Sequence, residues 1–222
     1  MAVSAFENVK RFFIRLGIGL MPYFPLPWEP YRKALVRDSE KRYASGRWDY
    51  MNDIAEAHRY SIIVGCCEYF TPPERRVLDV GCGDGILQQR LRYSGYVGVD
   101  MNAAAISRAQ ARGASGATFV VADAAQGVQA DGQFDVIVFN ESLYYIRDPA
   151  AVFARCRQSL SPQGIMVVCM FRTYLARQLW KKLRAFGMEE LTTVSISNEL
   201  GFSSTLRVYA NSRLTARAAD TR

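Results

Sequence analysis

The sequence predicts an α/β protein: a seven-stranded, mostly parallel, doubly wound sheet with an N-terminal helical lid. Three observations lead there. Apolar runs rich in valine, isoleucine and phenylalanine recur at residues 77–80, 95–100, 118–123, 134–139 and 165–170, the pattern of strands buried on both faces. Between most of them lie stretches long enough for the crossover helices that parallel strands require. The first run also opens into Gly81-Cys-Gly-Asp-Gly85, a turn that lets a ligand approach the backbone closely. At 222 residues, half of them hydrophobic, the chain suits one core with accessory segments. It contains no internal repeat.

Residues 1–30 form an apolar arm. Phe12 to Trp28 is interrupted by Arg15 and broken by Pro22, Pro25 and Pro27, so no run reaches the ~20 apolar residues of a bilayer span. Nothing in it marks a signal peptide. Packing on its own domain, or on a second subunit of a homodimer, is the favoured reading. Peripheral membrane contact through Phe12, Phe13 and Leu16 beside Lys10, Arg11 and Arg15 stays open. Residues 31–73 read as a helical lid. Tyr31–Tyr43 is charged with uneven helical spacing, and Tyr43 to Met51 is dense in aromatics. Asp53–Phe70 is an amphipathic helix with Ile54, Ala57, Ile62 and Cys66 on its apolar side, ended by Pro72-Pro73. Trp48 and Tyr50 either anchor the lid by packing or stack on a ligand.

Val77-Leu-Asp-Val80 is the first strand. Asp79 is a carboxylate among apolar neighbours, a costly position that predicts a cationic partner. Gly95–Asp100 is the second strand, and Asp100, 17 residues beyond Gly83, is placed to accept from both hydroxyls of a ribose. Thr118–Ala124 is the third strand with its exit, and Phe134–Phe139 the fourth, with its exit at Asn140–Tyr145. Leu160–Gly164 leads from a helix into the fifth strand, Ile165–Met170. A helix over 171–187 and two last strands, Glu190–Ser197 and an antiparallel Ser203–Tyr209, complete the sheet.

Asp79-Val-Gly-Cys-Gly-Asp-Gly85 and the acids that follow resemble the ordered motifs of class I S-adenosylmethionine-dependent methyltransferases, over residues 75–170. The competing dinucleotide fingerprint wants a third glycine where Ile86 stands. The resemblance implies a Rossmann-like methyltransferase fold over residues 74–211, with S-adenosylmethionine as cofactor and no metal. It also implies cofactor contacts: Asp79, Gly81, Cys82 and Gly83 for the methionine end, Asp100 and Met101 for the ribose side, Asp123 and Ala124 for the adenine edge, and Asn140 from the fourth exit.

That exit, Asn140-Glu-Ser-Leu-Tyr-Tyr-Ile146, lacks the Pro-Pro of base-amine methyltransferases and the cysteine of pyrimidine-carbon ones. Cys169-Met170 replaces the Asp-Asn of metal-dependent catechol enzymes. The exit looks instead like that of nodulation-factor N-methyltransferases, which act on an amino sugar. Trp48-Asp-Tyr50, Glu56 and Arg59-Tyr60 are loosely similar to the region before their first strand. The expected activity is methyl transfer to N or O of a small-molecule or sugar-like acceptor in the cytoplasm. Glu141, Tyr144 and His58 are the candidates to face that acceptor, Glu141 or His58 as base and Tyr144 as a hydrogen-bonding or stacking surface. An RNA methyltransferase and a cofactor-binding but inactive scaffold are the alternatives.

Charge is uneven. Residues 1–154 carry 17 basic and 17 acidic side chains, whereas 155–222 carry 11 and 4. A basic surface attracts phosphate, but Arg213, Arg217 and Arg222 lie in the 212–222 tail, read as disordered, so nucleic acid is not expected as a partner. Cys66, Cys67, Cys82, Cys156 and Cys169 have no metal-site or C-x-x-C spacing and read as reduced, mostly buried thiols.

Overall fold

The computed structural model describes residues 48–127, 132–197 and 203–211, together with Lys33, residues 37–41, Tyr43, Ser45 and Gly46. The arm at 1–30, the tail at 212–222 and much of the Tyr31–Tyr43 helix lie outside the described residues.

Seven strands form one sheet: β1 Arg76–Val80, β2 Gly95–Asp100, β3 Ala117–Val121, β4 Phe134–Asn140, β5 Leu160–Phe171, β6 Glu189–Ser197 and β7 Ser203–Ala210. Their order is β3-β2-β1-β4-β5-β7-β6. The β1–β2, β1–β4, β2–β3 and β4–β5 pairs are parallel, and β7 runs antiparallel to both its neighbours. The order reverses between β1 and β4. In open α/β sheets that reversal leaves a crevice at the strand ends where ligands bind.

Among the described residues four helices cover the sheet: α1 Ile54–Phe70, α2 Ala103–Ala111, α3 Pro149–Gln158 and α4 Tyr174–Arg184. Alternation along the strands makes two cores. Val77, Val136, Val138, Ile165 and Val167 pack with Tyr60, Ile63 and Cys67 of α1 and Ile106 and Ala109 of α2. Leu78, Val80, Ile137, Phe139, Met166 and Val168 face the other way, onto Val152 and Phe153 of α3 and Leu179, Trp180 and Leu183 of α4. Asp79 is in step with Val77, so its carboxyl enters the α1–α2 layer.

Local chemistry sets the helix starts. Asn102 Oδ1 accepts from the N–H groups of Ala104 and Ala105, Asp148 Oδ1 from that of Ala151, and Thr173 Oγ1 from that of Ala176, each satisfying otherwise orphaned donors. The Thr173 cap starts α4 three residues later than the sequence suggests, because Phe171 still pairs in β5 with Ser204. β5 in turn begins at Leu160, which pairs with Phe134 before the ladder slips to Val136–Ile165.

The apolar side expected for α1 holds in part, Ile62 and Cys66 being partly buried against the core. Its buried residues are Glu56, Arg59, Tyr60, Ile63 and Cys67, while Ile54 is 88% exposed. The inward face carries an ion pair in its first turns, so apolar periodicity points to a neighbouring face. α1 ends at Phe70, and Thr71 before Pro72 is extended, as the proline ring requires. All five cysteines are free, and Cys66 alone among them is only half-buried. Among the described residues no helix is long and apolar enough to cross a membrane.

Candidate active site

The crevice is built on the loop after β1. Gly81, Gly83 and Gly85 all have positive φ, +82°, +56° and +79°, a region that side chains rarely adopt. Space is as restrictive as conformation. A Cβ on Gly81 would come within 2.3 Å of Ser142 Cβ, and one on Gly83 within 2.6 Å of Tyr43 Oη. The loop therefore presents bare backbone between the exit of β4 and an aromatic side chain from the segment before α1.

Asp79 lies beneath this loop at 1% exposure. No cationic side chain among the described residues pairs with it, so the cationic partner expected from the sequence is not one of them. The Tyr96 hydroxyl donates to Asp79 Oδ2 at 2.5 Å, while Oδ1 is buried with no hydrogen-bond partner among the described residues. Burial raises the carboxyl to about 7, against the pull of the Tyr96 hydrogen bond and with a smaller push from Asp100. A buried acceptor without a donor is costly. A cationic or N–H-bearing ligand group would relieve it.

Asp100 ends β2. Its Oδ2 accepts from Gly83 N–H at 3.0 Å and its Oδ1 from Asn102 N–H at 2.9 Å. Burial raises its pKa, and these N–H groups hold it back. Each carboxylate oxygen can accept more than one bond, so both retain capacity for a diol. Met101 beside it is exposed. Asp123 Oδ1 accepts from Ala125 N–H at 2.9 Å and caps the short 3-10 turn at Ala124–Gln126.

The β4 side is a buried polar network. Asn140 is the last residue of β4, and its Oδ1 accepts from Arg59 Nη1 at 2.6 Å. Arg59 Nη2 donates to Glu56 Oε2 at 2.8 Å, and Nη1 lies 3.8 Å from Glu141 Oε1. Glu141, 8% exposed, accepts from Phe171 N–H at 2.9 Å, Ser204 Oγ at 3.1 Å and the Tyr144 hydroxyl, with the Cys169 thiol at 3.9 Å. Burial raises the Glu141 pKa, opposed by Arg59 and these donors. Burial likewise disfavours the charge of Arg59, and the Glu141 and Glu56 carboxylates outweigh it to keep the guanidinium ionised. Glu141 also has φ +58°, a backbone state held by the anchoring of its side chain.

The structure thus gathers Asp79, Gly81, Cys82, Gly83, Asp100 and Asn140 around the strand ends where the sequence places them, with Met101, Asp123 and Ala124 just beyond their own strands. Of the acceptor-facing candidates, Glu141 and Tyr144 bind each other, and His58 is half-buried on α1. Two residues escape a reading of the sequence: Tyr96 as the partner of Asp79, and Tyr43 over the glycine loop. Their signal is faint, two tyrosines in segments otherwise explained by packing. The segment before α1 is tied down by Arg108, which pairs with Asp49 and donates to the Tyr43 carbonyl at 3.5 Å. Trp48 packs between Tyr43 and Tyr50, with ring centroids 5.9 and 5.8 Å away.

This strand order, with a glycine cradle, a buried acid under it and a second acid at the end of β2, defines a class I Rossmann-like methyltransferase architecture. The chain belongs to that family: residues 54–200 match its methyltransferase domain. A ubiquinone biosynthesis O-methyltransferase of Marinobacter nauticus is 35% identical over 102 residues, covering 42% of this chain and 43% of that protein. The chain spans about half the length of the curated relatives it matches. Among solved structures, the N-methyltransferase NodS of Bradyrhizobium japonicum bound to S-adenosyl-L-homocysteine superposes with a TM-score of 0.66. It shares 18% identity, over 78% of this chain and 96% of that one. The 1,6-didemethyltoxoflavin-N1-methyltransferase of Burkholderia thailandensis gives the same score at 18% identity, over 84% and 91%. At such identities the likeness is one of fold.

Proposed function

We propose that the chain transfers a methyl group from S-adenosylmethionine to a nitrogen or oxygen of a small-molecule or glycan-like acceptor. The observation that carries the cofactor assignment is the unpartnered Oδ1 of Asp79 beneath a loop stripped of side chains. An ammonium group answers that oxygen, and a dinucleotide pyrophosphate, being an anion, does not. In this reading Asp79, Gly81, Cys82 and Gly83 hold the amino-acid end. Asp100 takes the ribose hydroxyls, Met101, Asp123 and Ala124 border the base, and Asn140 closes the cleft from β4. The cofactor brings a methyl already activated on a sulfonium. The work left to the chain is to align the acceptor in line and to exclude water.

The acceptor side lies between the Tyr43–Tyr50 aromatics and the exit loop Asn140–Tyr145. The Tyr144 hydroxyl and the Glu141 carboxylate hold that loop through each other, and His58, half-buried on α1, would be the base for an alcohol acceptor. Support for a small acceptor comes from the resemblance of the exit loop to amino-sugar N-methyltransferases and from relatives named as small-molecule methyltransferases. Calorimetry tests the cofactor half: S-adenosylhomocysteine should bind and NAD should not, and the reverse would overturn the assignment. Labelled methyl transfer from S-adenosylmethionine onto amino sugars, phenols and small carboxylates tests the other half. Incorporation into RNA alone would refute it.

A further inference from the structure

Arg59 is delivered by α1 into the wall of the crevice, where it is 1% exposed. Its guanidinium meets Asn140 Oδ1 at 2.6 Å, Glu56 Oε2 at 2.8 Å and Glu141 Oε1 at 3.8 Å, with the Tyr60 ring 5.1 Å away. An asparagine amide has two ends of opposite sense, an oxygen that accepts and an NH2 that donates. Arginine has only donors and does not lose its proton. Only the oxygen of Asn140 can therefore face Arg59, and the NH2 is directed elsewhere. Asn140 is half-buried at the end of β4, next to the switch point with β1. No group among the described residues accepts from its Nδ2.

We propose that Arg59 is a positioning residue that fixes the sense of the Asn140 amide, so that its NH2 is presented to the bound cofactor as a donor. The inference rests on the cofactor reading above. The ligand atom met by Nδ2 is a hydrogen-bond acceptor, either a carboxylate oxygen of the amino-acid end or an acceptor on the nucleoside. Arg59 is 1% exposed, and its Nε is buried without a partner among the described residues. It acts through Asn140, braced by Glu56 in its own helix and by Glu141 from the following turn. Glu56 and Glu141 make the bracing possible: without them a guanidinium this deeply buried would lack a counter-charge.

Asn140→Asp provides the decisive variant. It is isosteric and gives Arg59 a stronger partner, so the fold should hold, with a thermal midpoint equal to or above that of the wild type. It also replaces the outward NH2 by an acceptor. S-adenosylhomocysteine should then bind roughly ten- to a hundredfold more weakly by calorimetry. 5′-Methylthioadenosine, which lacks the amino-acid end, separates the two sources. If it binds Asn140→Asp as it binds the wild type, Nδ2 serves the carboxylate, and if it weakens in parallel, Nδ2 serves the nucleoside. Positioning is tested by Arg59→Lys, alone and combined with Asn140→Ala. The lysine should weaken S-adenosylhomocysteine binding by roughly tenfold in the wild-type background and by less than about twofold when Asn140 is already replaced by alanine. Unchanged affinity in Asn140→Asp, or additive effects in the double variant, would overturn the inference. Failure of the wild-type chain to bind S-adenosylhomocysteine would instead remove the cofactor assignment beneath it.

Discussion

Replacing Asp79 with asparagine separates what this carboxyl does to stability from what it does for a ligand. In the folded chain, burial raises it from an ordinary 3.8 to about 7. Between those values the folded chain holds a proton that the unfolded chain has released. Stability therefore falls as pH rises through that window, is lowest above pH 7, and recovers toward pH 4. Each tenfold difference in proton affinity is worth about 1.4 kcal/mol, so the ionised carboxylate costs the fold at most roughly 4 kcal/mol at pH 8. The Asp79→Asn variant would remove that cost and keep an oxygen for the Tyr96 hydroxyl. It would also place an NH2 where the unpartnered oxygen now lies, at a penalty of ~1–3 kcal/mol. The expected balance is a variant roughly 1–3 kcal/mol more stable at pH 8, or about 2–10 °C in thermal midpoint. At pH 4–5 it should be equal to or weaker than the wild type. S-adenosylhomocysteine affinity should fall by the ~1.5–3 kcal/mol of a charged hydrogen bond. Urea and thermal melts at both pH values, with calorimetry beside them, make the measurement. A stability difference independent of pH, or retained ligand affinity, would refute the account of Asp79.

Because Asp79 must ionise to meet an ammonium group, S-adenosylhomocysteine should bind more tightly as pH rises from 6 to 8. Calorimetry at pH 6 should show proton release as a dependence of heat on buffer ionisation enthalpy, and equal heats in phosphate and Tris would contradict this. Asp100→Ala should weaken the same ligand by ~1.5–3 kcal/mol for each ribose hydrogen bond it removes, and 2′-deoxy analogues should be correspondingly less affected. Gly81→Ala combines a disallowed φ with a 2.3 Å approach to Ser142 and should abolish ligand binding, together with a measurable drop in midpoint. Arg172 just before α4, and Arg177, Lys181, Lys182 and Arg184 along it, are exposed, yet RNA should bind no better than other polyanions and with a steep salt dependence. A submicromolar, arginine-dependent RNA complex at physiological salt would reverse that view.

The doubly wound sheet is legible in the sequence because its signals are local and repeated. Valine-rich runs announce parallel strands, and three glycines with positive φ have few other uses. The strand-end acids can be placed because the fold puts every loop after a parallel strand on one edge. What escapes is whatever depends on side chains meeting across elements. Asp79 calls for a cation in sequence and finds Tyr96 on the neighbouring strand, since a buried tyrosine looks there like one more core aromatic. The α1 face is misleading because Glu56 and Arg59 look like a solvated turn until Asn140 and Glu141, from far along the chain, close over them. Tyr43 falls within an aromatic stretch, although its hydroxyl lies against Gly83.

The place of β7 has a consequence for the order in which the molecule is assembled. β7 fills the slot between β5 and β6, so β6 has no ladder to join until the strand made after it arrives. The two pair antiparallel from Glu189–Ala210 to Ser197–Ser203, and a hairpin of that kind closes locally and fast. That order lets the sheet grow at this edge by docking a preformed ribbon. That ribbon carries Ser204, which reaches Glu141 under the crevice. During synthesis the ligand-binding edge at β1 and β4 can be paired long before its floor is in place. The strand that completes the support of the exit loop leaves the ribosome after the other six.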